Sequence, residues 1–195
     1  MTRSPQTLPP DYFTELYATN PDPWDFTTSP YEHAKYDATL AALGRETYPE
    51  ALEVGCSIGI LTRRLADRCA TLLALDVAET ALDAARVRCA ACPHVAFRRA
   101  AVPAEWPPGR FDLVVLSEVL YFFTPADLAR IAERLVAALK PGGEVILVHW
   151  LGETNFPLSA DAAVETLIDL TGSALEPDRR GRTERYRLDV LRARA

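Results

Sequence analysis

Apolar and polar positions fall into alternating blocks, short solid apolar runs followed by stretches with helical spacing. Residues 50–54 form the first solid run and read as a buried strand. After it Ile60, Leu61 and Leu65 share one helical face, with Arg63, Arg64, Asp67 and Arg68 on the other. The alternation then repeats. Residues 71–76 predict a second strand, residues 79–89 a helix striped by Leu82, Ala85 and Cys89, and residues 95–98 a third strand. Residues 111–118 make the most apolar run of all, suited to a strand covered on both faces. Thr124 to Asp127 cap a helix striped by Leu128, Ile131, Leu135 and Leu139, which Lys140-Pro141-Gly142-Gly143 ends. Residues 144–150 are the next strand and carry His149 and Trp150 to its carboxyl end.

The two ends of the chain are less regular. Residues 1–10 hold three prolines and predict a loose arm, followed by a helix over 11–18 with Tyr12, Phe13 and Leu16 inward. Residues 20–26 read as a proline-stiffened loop carrying Trp24 and Phe26. Ser29, Pro30 and Glu32 fit a capping box, with Glu32 reaching back, for a helix that Gly44 stops. Ser159 or Asp161 caps a helix that runs to Leu170, and Gly172 ends it. Residues 179–182 read as a basic turn, and residues 185–192 alternate as an edge strand. The arginines there keep an edge soluble or, in the alternative, greet an acidic substrate. Strand and helix in alternation give an α/β, Rossmann-like, doubly wound, mostly parallel sheet with a C-terminal antiparallel edge strand. One domain over 1–195 is expected: N-terminal helices in 1–48, a core in 49–150, and a helix with the edge strand in 151–195.

Composition narrows the class. Hydrophobic residues at 49% and charged ones at 25% are globular values. A net charge of −6 argues against a nucleic-acid partner, whose phosphates attract a basic surface. No apolar run is long enough to span a bilayer. The first ten residues lack the apolar centre of a signal peptide, so a cytoplasmic protein is expected. Cys56, Cys69, Cys89 and Cys92 have no secretory context for pairing. Cys89 and Cys92 form a lone C-x-x-C, and neither Cys69, His33 nor His94 completes a recognisable set of four ligands, so no metal is expected. The oligomeric state is not legible.

Between the first strand and its helix lies Glu53-Val54-Gly55-Cys56-Ser57-Ile58-Gly59, a strand–turn–helix junction of the kind that binds nucleotides. A dinucleotide fingerprint wants glycine where Ser57 and Ile60 stand. A second reading is the hydrolase elbow G-x-S-x-G with Ser57 as nucleophile, Asp112 or Glu118 as acid and His149 as base. Too little chain precedes Gly55 for the strands and oxyanion loop that elbow needs. In the third reading Asp76 ends the second strand about 20 residues after the glycine turn, the position of an acid that accepts from ribose hydroxyls. Asp76 then lies at a loop edge, and its replacement by alanine is expected to leave the fold nearly intact.

Glu53, Gly55 and Gly59 followed by Asp76 resemble the motifs of class I S-adenosylmethionine-dependent methyltransferases, with Ser57 in place of the middle glycine. The string from Phe111 through Ser117-Glu118-Val119-Leu120 to Tyr121 is similar to the fourth motif of that class, and Lys140-Pro141-Gly142-Gly143 to a turn common in it. The resemblance implies S-adenosyl-L-methionine as cofactor, with Glu53 on its ammonium and Asp76 on its ribose. It implies further cofactor contacts at Gly55, Cys56, Ser57, Gly59, Val77 and Ser117. An acid that often meets the adenine amine in this class has no counterpart here, which leaves backbone at Ala101 and Val102.

Asp22-Pro23-Trp24-Asp25-Phe26, Ser29, Tyr31-Glu32 and Lys35-Tyr36 resemble the opening of the nodulation protein S family. Those enzymes N-methylate the free amine of a deacetylated chitooligosaccharide. The likeness implies that the N-terminal segment lids the cofactor, although Trp24 and Phe26 equally suit a helix packed on the sheet. It implies a small-molecule acceptor held by Trp24, Tyr31, Glu118, Tyr121, His149 and Trp150, with Glu118 and His149 as proton acceptors. Plain alternatives stay open: Glu118 as a helix-start acid, His149 as a satisfied core histidine, and oxygen rather than nitrogen as the methyl acceptor.

Overall fold

The structure is a computed structural model that describes residues 2–194. Its elements run α1 (Pro10–Thr19), α2 (Pro30–Ala41), β1 (Tyr48–Val54), α3 (Ile60–Ala66), β2 (Cys69–Asp76), α4 (Glu79–Arg88) and β3 (Val95–Arg99). They continue with β4 (Phe111–Ser117), α5 (Pro125–Ala138), β5 (Leu139–Trp150), α6 (Ala160–Thr171), β6 (Leu175–Arg182) and β7 (Tyr186–Ala193). Contacts divide the chain into an N-terminal unit, Pro9–Ala101, and a C-terminal unit, Val102–Ala195 together with Met1–Leu8.

In the N-terminal unit β1 and β3 flank β2, all parallel, with Leu52 opposite Leu73 and Leu73 opposite Ala96. Parallel neighbours need crossovers, and α3 and α4 supply them. Leu65 of α3 and Leu82 of α4 are fully buried, as the helical stripes require. Gly59 starts α3 at φ +79°, and a Cβ there would lie 2.8 Å from Ala85 Cβ and 2.9 Å from Ala85 Cα. Glycine is therefore what lets α3 begin against α4. Ser29 caps α2 as expected, its side chain accepting from the Glu32 amide at 3.3 Å. The Glu32 carboxylate reaches Lys35 Nζ at 3.0 Å, forward along the helix. In α1 the inward face differs from expectation. Tyr17 is buried, Phe13 and Leu16 are half-buried, and Tyr12 is exposed.

In the C-terminal unit β4 and β5 are parallel, β7 is antiparallel to β5, and β6 is antiparallel to β7. Residues 113–115 of β4 and 145–148 of β5 are fully buried, which fits their unbroken apolar runs. Three expectations change here. The strand read as the edge, β7, is an interior strand. The basic stretch at 179–182, read as a turn, belongs to the true edge strand β6. Every residue of β6 after Leu175 is exposed, so it carries no apolar alternation to reveal it. The turn at Lys140–Gly143 is a register irregularity inside β5, where the partner of Phe111 is Leu139 but that of Leu113 is already Glu144. Gly142 at φ +68° absorbs the extra residues.

The arm before α1 is tied down. Ser4 N donates to Asn155 O at 2.7 Å and Leu8 N to Phe122 O at 3.0 Å. Thr7 Oγ1 donates to Asp127 Oδ2 and accepts from Thr124 N at 3.0 Å. No described helix is long and apolar enough to cross a membrane.

Candidate functional site

The turn after β1 needs left-handed backbone three times, at Gly55 (φ +78°), Ser57 (φ +51°) and Gly59 (φ +79°). Glycine meets that demand without strain, whereas serine carries a cost of order 1 kcal/mol. The turn is anchored from below, since the amides of Gly55 and Cys56 both donate to Leu75 O at 2.8 Å. Asp76 anchors it from the side. Its Oδ2 accepts from Ser57 N at 2.8 Å and its Oδ1 from Ala78 N at 3.0 Å. Burial raises the Asp76 carboxyl above its ordinary value, against those amide bonds and that of Val77, which hold it down. Asp76 is therefore a structural tie between the loops that follow β1 and β2, and its removal is expected to cost stability rather than to be neutral. A carboxylate that bonds two buried amides leaves both unsatisfied when it goes.

Glu53 is 2% exposed, and its Oε2 has no hydrogen-bond partner among the described residues. Burial pushes its carboxyl up to about 7, helped by the charge of Asp76 and opposed by the nearby Thr62 hydroxyl. A buried carboxylate oxygen without a partner, at the end of β1 beside that turn, fits the ammonium of S-adenosyl-L-methionine, which would supply the missing counter-charge. The sign of the pH effect follows. Folding raises the Glu53 pKa from an ordinary 4.5, so its stabilisation of the free protein is complete below 4.5 and lost as pH rises through about 7. A cationic ligand prefers the ionised form, so the linkage runs the other way for binding. Cofactor affinity is expected to fall about tenfold per pH unit below 7. Glu53→Gln should flatten that slope in calorimetric titrations, and a wild-type affinity independent of pH between 5.5 and 7.5 would refute the assignment.

Around the turn, Tyr17, Ile58, Ala78 and Ala81 form a buried cluster, with Phe13, Phe26 and Ile60 packed against it. The Tyr17 and Ser57 hydroxyls share a hydrogen bond. Trp24, 37% exposed, stacks on Phe26 with centroids 5.4 Å apart and meets Tyr17 edge-on at 5.9 Å. Tyr31 lies under Lys35 Nζ, 5.1 Å from its ring centre. Cys56 is buried and its thiol pushed far up. Val77 and Ala101 are half-buried at the ends of the strands. Cys89 and Cys92 pack with Ala66, Val95 and Phe97 in a small apolar cluster. Tyr17 is the residue that sequence reasoning missed. Its spacing of four from Phe13, one turn further along the same face of α1, is the signal that could have marked it.

The hydrolase reading fails on its nucleophile. Ser57 Oγ is engaged by a tyrosine hydroxyl that burial makes a still poorer acid, not by an imidazole.

In the C-terminal unit Ser117 and Val102 are half-buried, and the carboxyl ends of β4 and β5 carry a compact polar group. Glu118 sits at φ +57°, a strained conformation for a residue with a side chain. Its Oε2 accepts from Tyr121 OH at 2.6 Å and from Trp150 N at 2.9 Å. Tyr121 is buried between the edge of His149, centroids 5.5 Å apart, and the stacked face of Phe156 at 5.4 Å. His149 is wholly buried, and its Nε2 accepts from Leu120 N at 3.1 Å. That bond uses the lone pair a general base would need. Trp150 is 37% exposed and folds over Gly152, where a Cβ would lie 1.9 Å from the indole.

The family model described as Nodulation protein S (NodS) matches residues 14–183 of this chain. A nodulation protein S from Bradyrhizobium diazoefficiens is 31% identical over 156 residues, 79% of this chain and 75% of that protein. One from Rhizobium tropici is 32% identical over 127 residues, 64% of this chain and 53% of the relative, so the match spans about half of that relative's length. The crystal structure of N-methyltransferase NodS from Bradyrhizobium japonicum has a TM-score of 0.75 at 26% identity, covering 86% of this chain and 98% of its own. In complex with S-adenosyl-L-homocysteine the same enzyme gives 0.80 at 24% identity, over 94% and 98%. These likenesses carry the Rossmann-like methyltransferase fold across almost the whole chain. The protein is an S-adenosylmethionine-dependent methyltransferase, and it belongs to the nodulation protein S family.

Proposed function

We propose that this protein transfers the methyl group of S-adenosyl-L-methionine to an amine of an amino sugar or chitooligosaccharide, a small-molecule acceptor, in the cytoplasm. Residues 49–150 form the cofactor-binding core of this reading. The observation that carries it is the buried Glu53 carboxylate, with one oxygen left without a partner, beside a turn that needs positive φ three times. Such a group awaits a cation, and the cofactor's ammonium is one. Gly55, Cys56, Ser57 and Gly59 present the turn, Asp76 and Val77 face the ribose, and backbone at Ala101 and Val102 serves the adenine.

The bound cofactor supplies an electrophilic methyl on a sulfonium. The acceptor nitrogen bonds to that carbon as the carbon–sulfur bond breaks, and the nitrogen then sheds a proton. Glu118 is the group we assign to receive it, because it stands just after β4 and its Oε2 is held in place by Tyr121 OH and Trp150 N. His149 is assigned a positioning role, since it holds the Leu120 amide and flanks Tyr121. Trp24 and Trp150, each 37% exposed, offer flat faces of the kind that stack on sugar rings.

The test is incubation with labelled S-adenosyl-L-methionine and a panel of glucosamine oligomers, phenols and carboxylates, read by mass spectrometry. Methylated amino sugar is the expected product. Label in a phenol or carboxylate with none in any amine would replace the amine by an oxygen acceptor.

A further inference from the structure

We propose that Tyr17 is a positioning residue for the cofactor's ribose acid, acting through the side chain of Ser57. The proposal rests on the cofactor reading above and extends it to a residue of the first helix.

The argument starts from a mismatch. Three positions in the turn need left-handed backbone, and glycine fills two of them. Serine at the third is strained where glycine would be free. A strained residue persists where its side chain does something glycine cannot. The Ser57 hydroxyl does one visible thing, which is to share a hydrogen bond with the Tyr17 hydroxyl. Tyr17 in turn has nowhere else to go. It is 5% exposed, packed on Ile58, Ala78 and Ala81, and roofed by the edge of Trp24. Without Ser57 its hydroxyl would be buried and unpaired.

The third member is Asp76. The amide of the same Ser57 donates to Asp76 Oδ2, so one residue bonds Tyr17 through its side chain and Asp76 through its backbone. Burial raises the Tyr17 hydroxyl's pKa most, and the charge of Asp76 adds to it, which places the phenol in the field of the carboxylate as well. The string Tyr17–Ser57–Asp76 thus fixes the direction in which the Asp76 carboxylate points. Its remaining lone pairs are the ones that ribose hydroxyls would use. Helix α1 thereby sets how well the acid is arranged before the cofactor arrives, and preorganised acceptors lower the cost of binding.

The probe is S-adenosyl-L-homocysteine, titrated calorimetrically into the full chain. Tyr17→Phe keeps the ring in its cluster and removes the hydroxyl alone, so the fold is retained. Its Kd is expected to rise about tenfold, the scale of one lost hydrogen bond to an aligned network. Ser57→Ala, which keeps the Cβ and loses the hydroxyl, should weaken binding to the same extent. The double variant should be no weaker than either single one, because both break the same string. Without ligand, amide hydrogen exchange at Ser57 and Ile58 should quicken in Tyr17→Phe. At saturating cofactor the kcat should stay within about twofold, so the loss appears in binding. Equal Kd values for wild type and Tyr17→Phe would overturn the inference, as would losses that multiply in the double variant. A wild-type chain that binds no S-adenosyl-L-homocysteine would instead overturn the cofactor reading beneath it.

Discussion

Asp76→Ala is expected to lower stability by about 2–4 kcal/mol and to weaken cofactor binding by at least a hundredfold. Two effects combine. In the free protein the amides of Ser57 and Ala78 lose their shared acceptor, and each buried unsatisfied donor costs about 1–3 kcal/mol. Burial already penalises this carboxylate, so removing it returns part of that cost. In the proposed ribose site, the ribose hydroxyls would also lose a charged acceptor, each bond contributing about 1.5–3 kcal/mol. Asp76→Asn separates the two effects. Its amide oxygen can keep one backbone donor while its NH2 opposes the other, so stability falls less and binding is still lost. Thermal melts with and without S-adenosyl-L-homocysteine read both numbers. A ligand-induced rise in Tm that is the same in wild type and Asp76→Ala would remove Asp76 from the ribose site.

The parts of the fold that sequence makes legible are those where burial dictates residue type. The strand at 111–118 and the helix stripe of Leu128, Ile131 and Leu135 appear as expected because both are forced to be apolar. Strand β6 has no such constraint. Its exposed Glu176, Asp178, Arg179 and Arg180 are what a soluble sheet edge requires, and they look the same as a polar turn. The arm over residues 2–8 is likewise hidden, because it is held mostly through backbone groups and Thr7, which carry no pattern. The Lys140–Gly143 stretch reads as a turn because glycine and proline mark both turns and bulges.

The candidate site divides in the same way. The places of Glu53 and Asp76 at strand ends are legible from spacing, since a strand end and a glycine turn constrain where an acid can sit. What each group is bonded to was not legible. That Asp76 ties two loops, that Tyr17 meets Ser57, and that Leu120 occupies a nitrogen of His149 are all contacts between residues distant in sequence. They depend on how helices and strand ends come together in space. Glu118 is the intermediate case. Its place after a strand was readable, while its positive φ and its bonds to Tyr121 and Trp150 were not.

Glu118→Gln is expected to lower kcat by about a hundredfold or more while leaving cofactor affinity unchanged, the usual scale for a lost proton acceptor. Glutamine keeps the shape and can still accept from Tyr121 OH and Trp150 N, so the loss isolates basicity. An amine attacks only as the free base, and the product must release a proton. The wild-type rate therefore rises with pH until the nitrogen is in its free-base form. In Glu118→Gln the rate falls at every pH, and its rise with pH follows the amine alone. His149→Gln should behave differently. It disturbs the acceptor of the Leu120 amide and the ring beside Tyr121, so Tm falls and the acceptor KM rises. The shape of its pH profile should match wild type, because the Nε2 lone pair is already spent on a backbone amide. Glu118→Gly adds a control on strain: it frees the backbone at φ +57° but leaves Tyr121 and Trp150 without their shared acceptor. Measured over pH 6–9 with a glucosamine oligomer, an unchanged rate in Glu118→Gln would mean the proton leaves to water. The strained carboxylate would then be a clasp for Tyr121 and the Trp150 amide and nothing more.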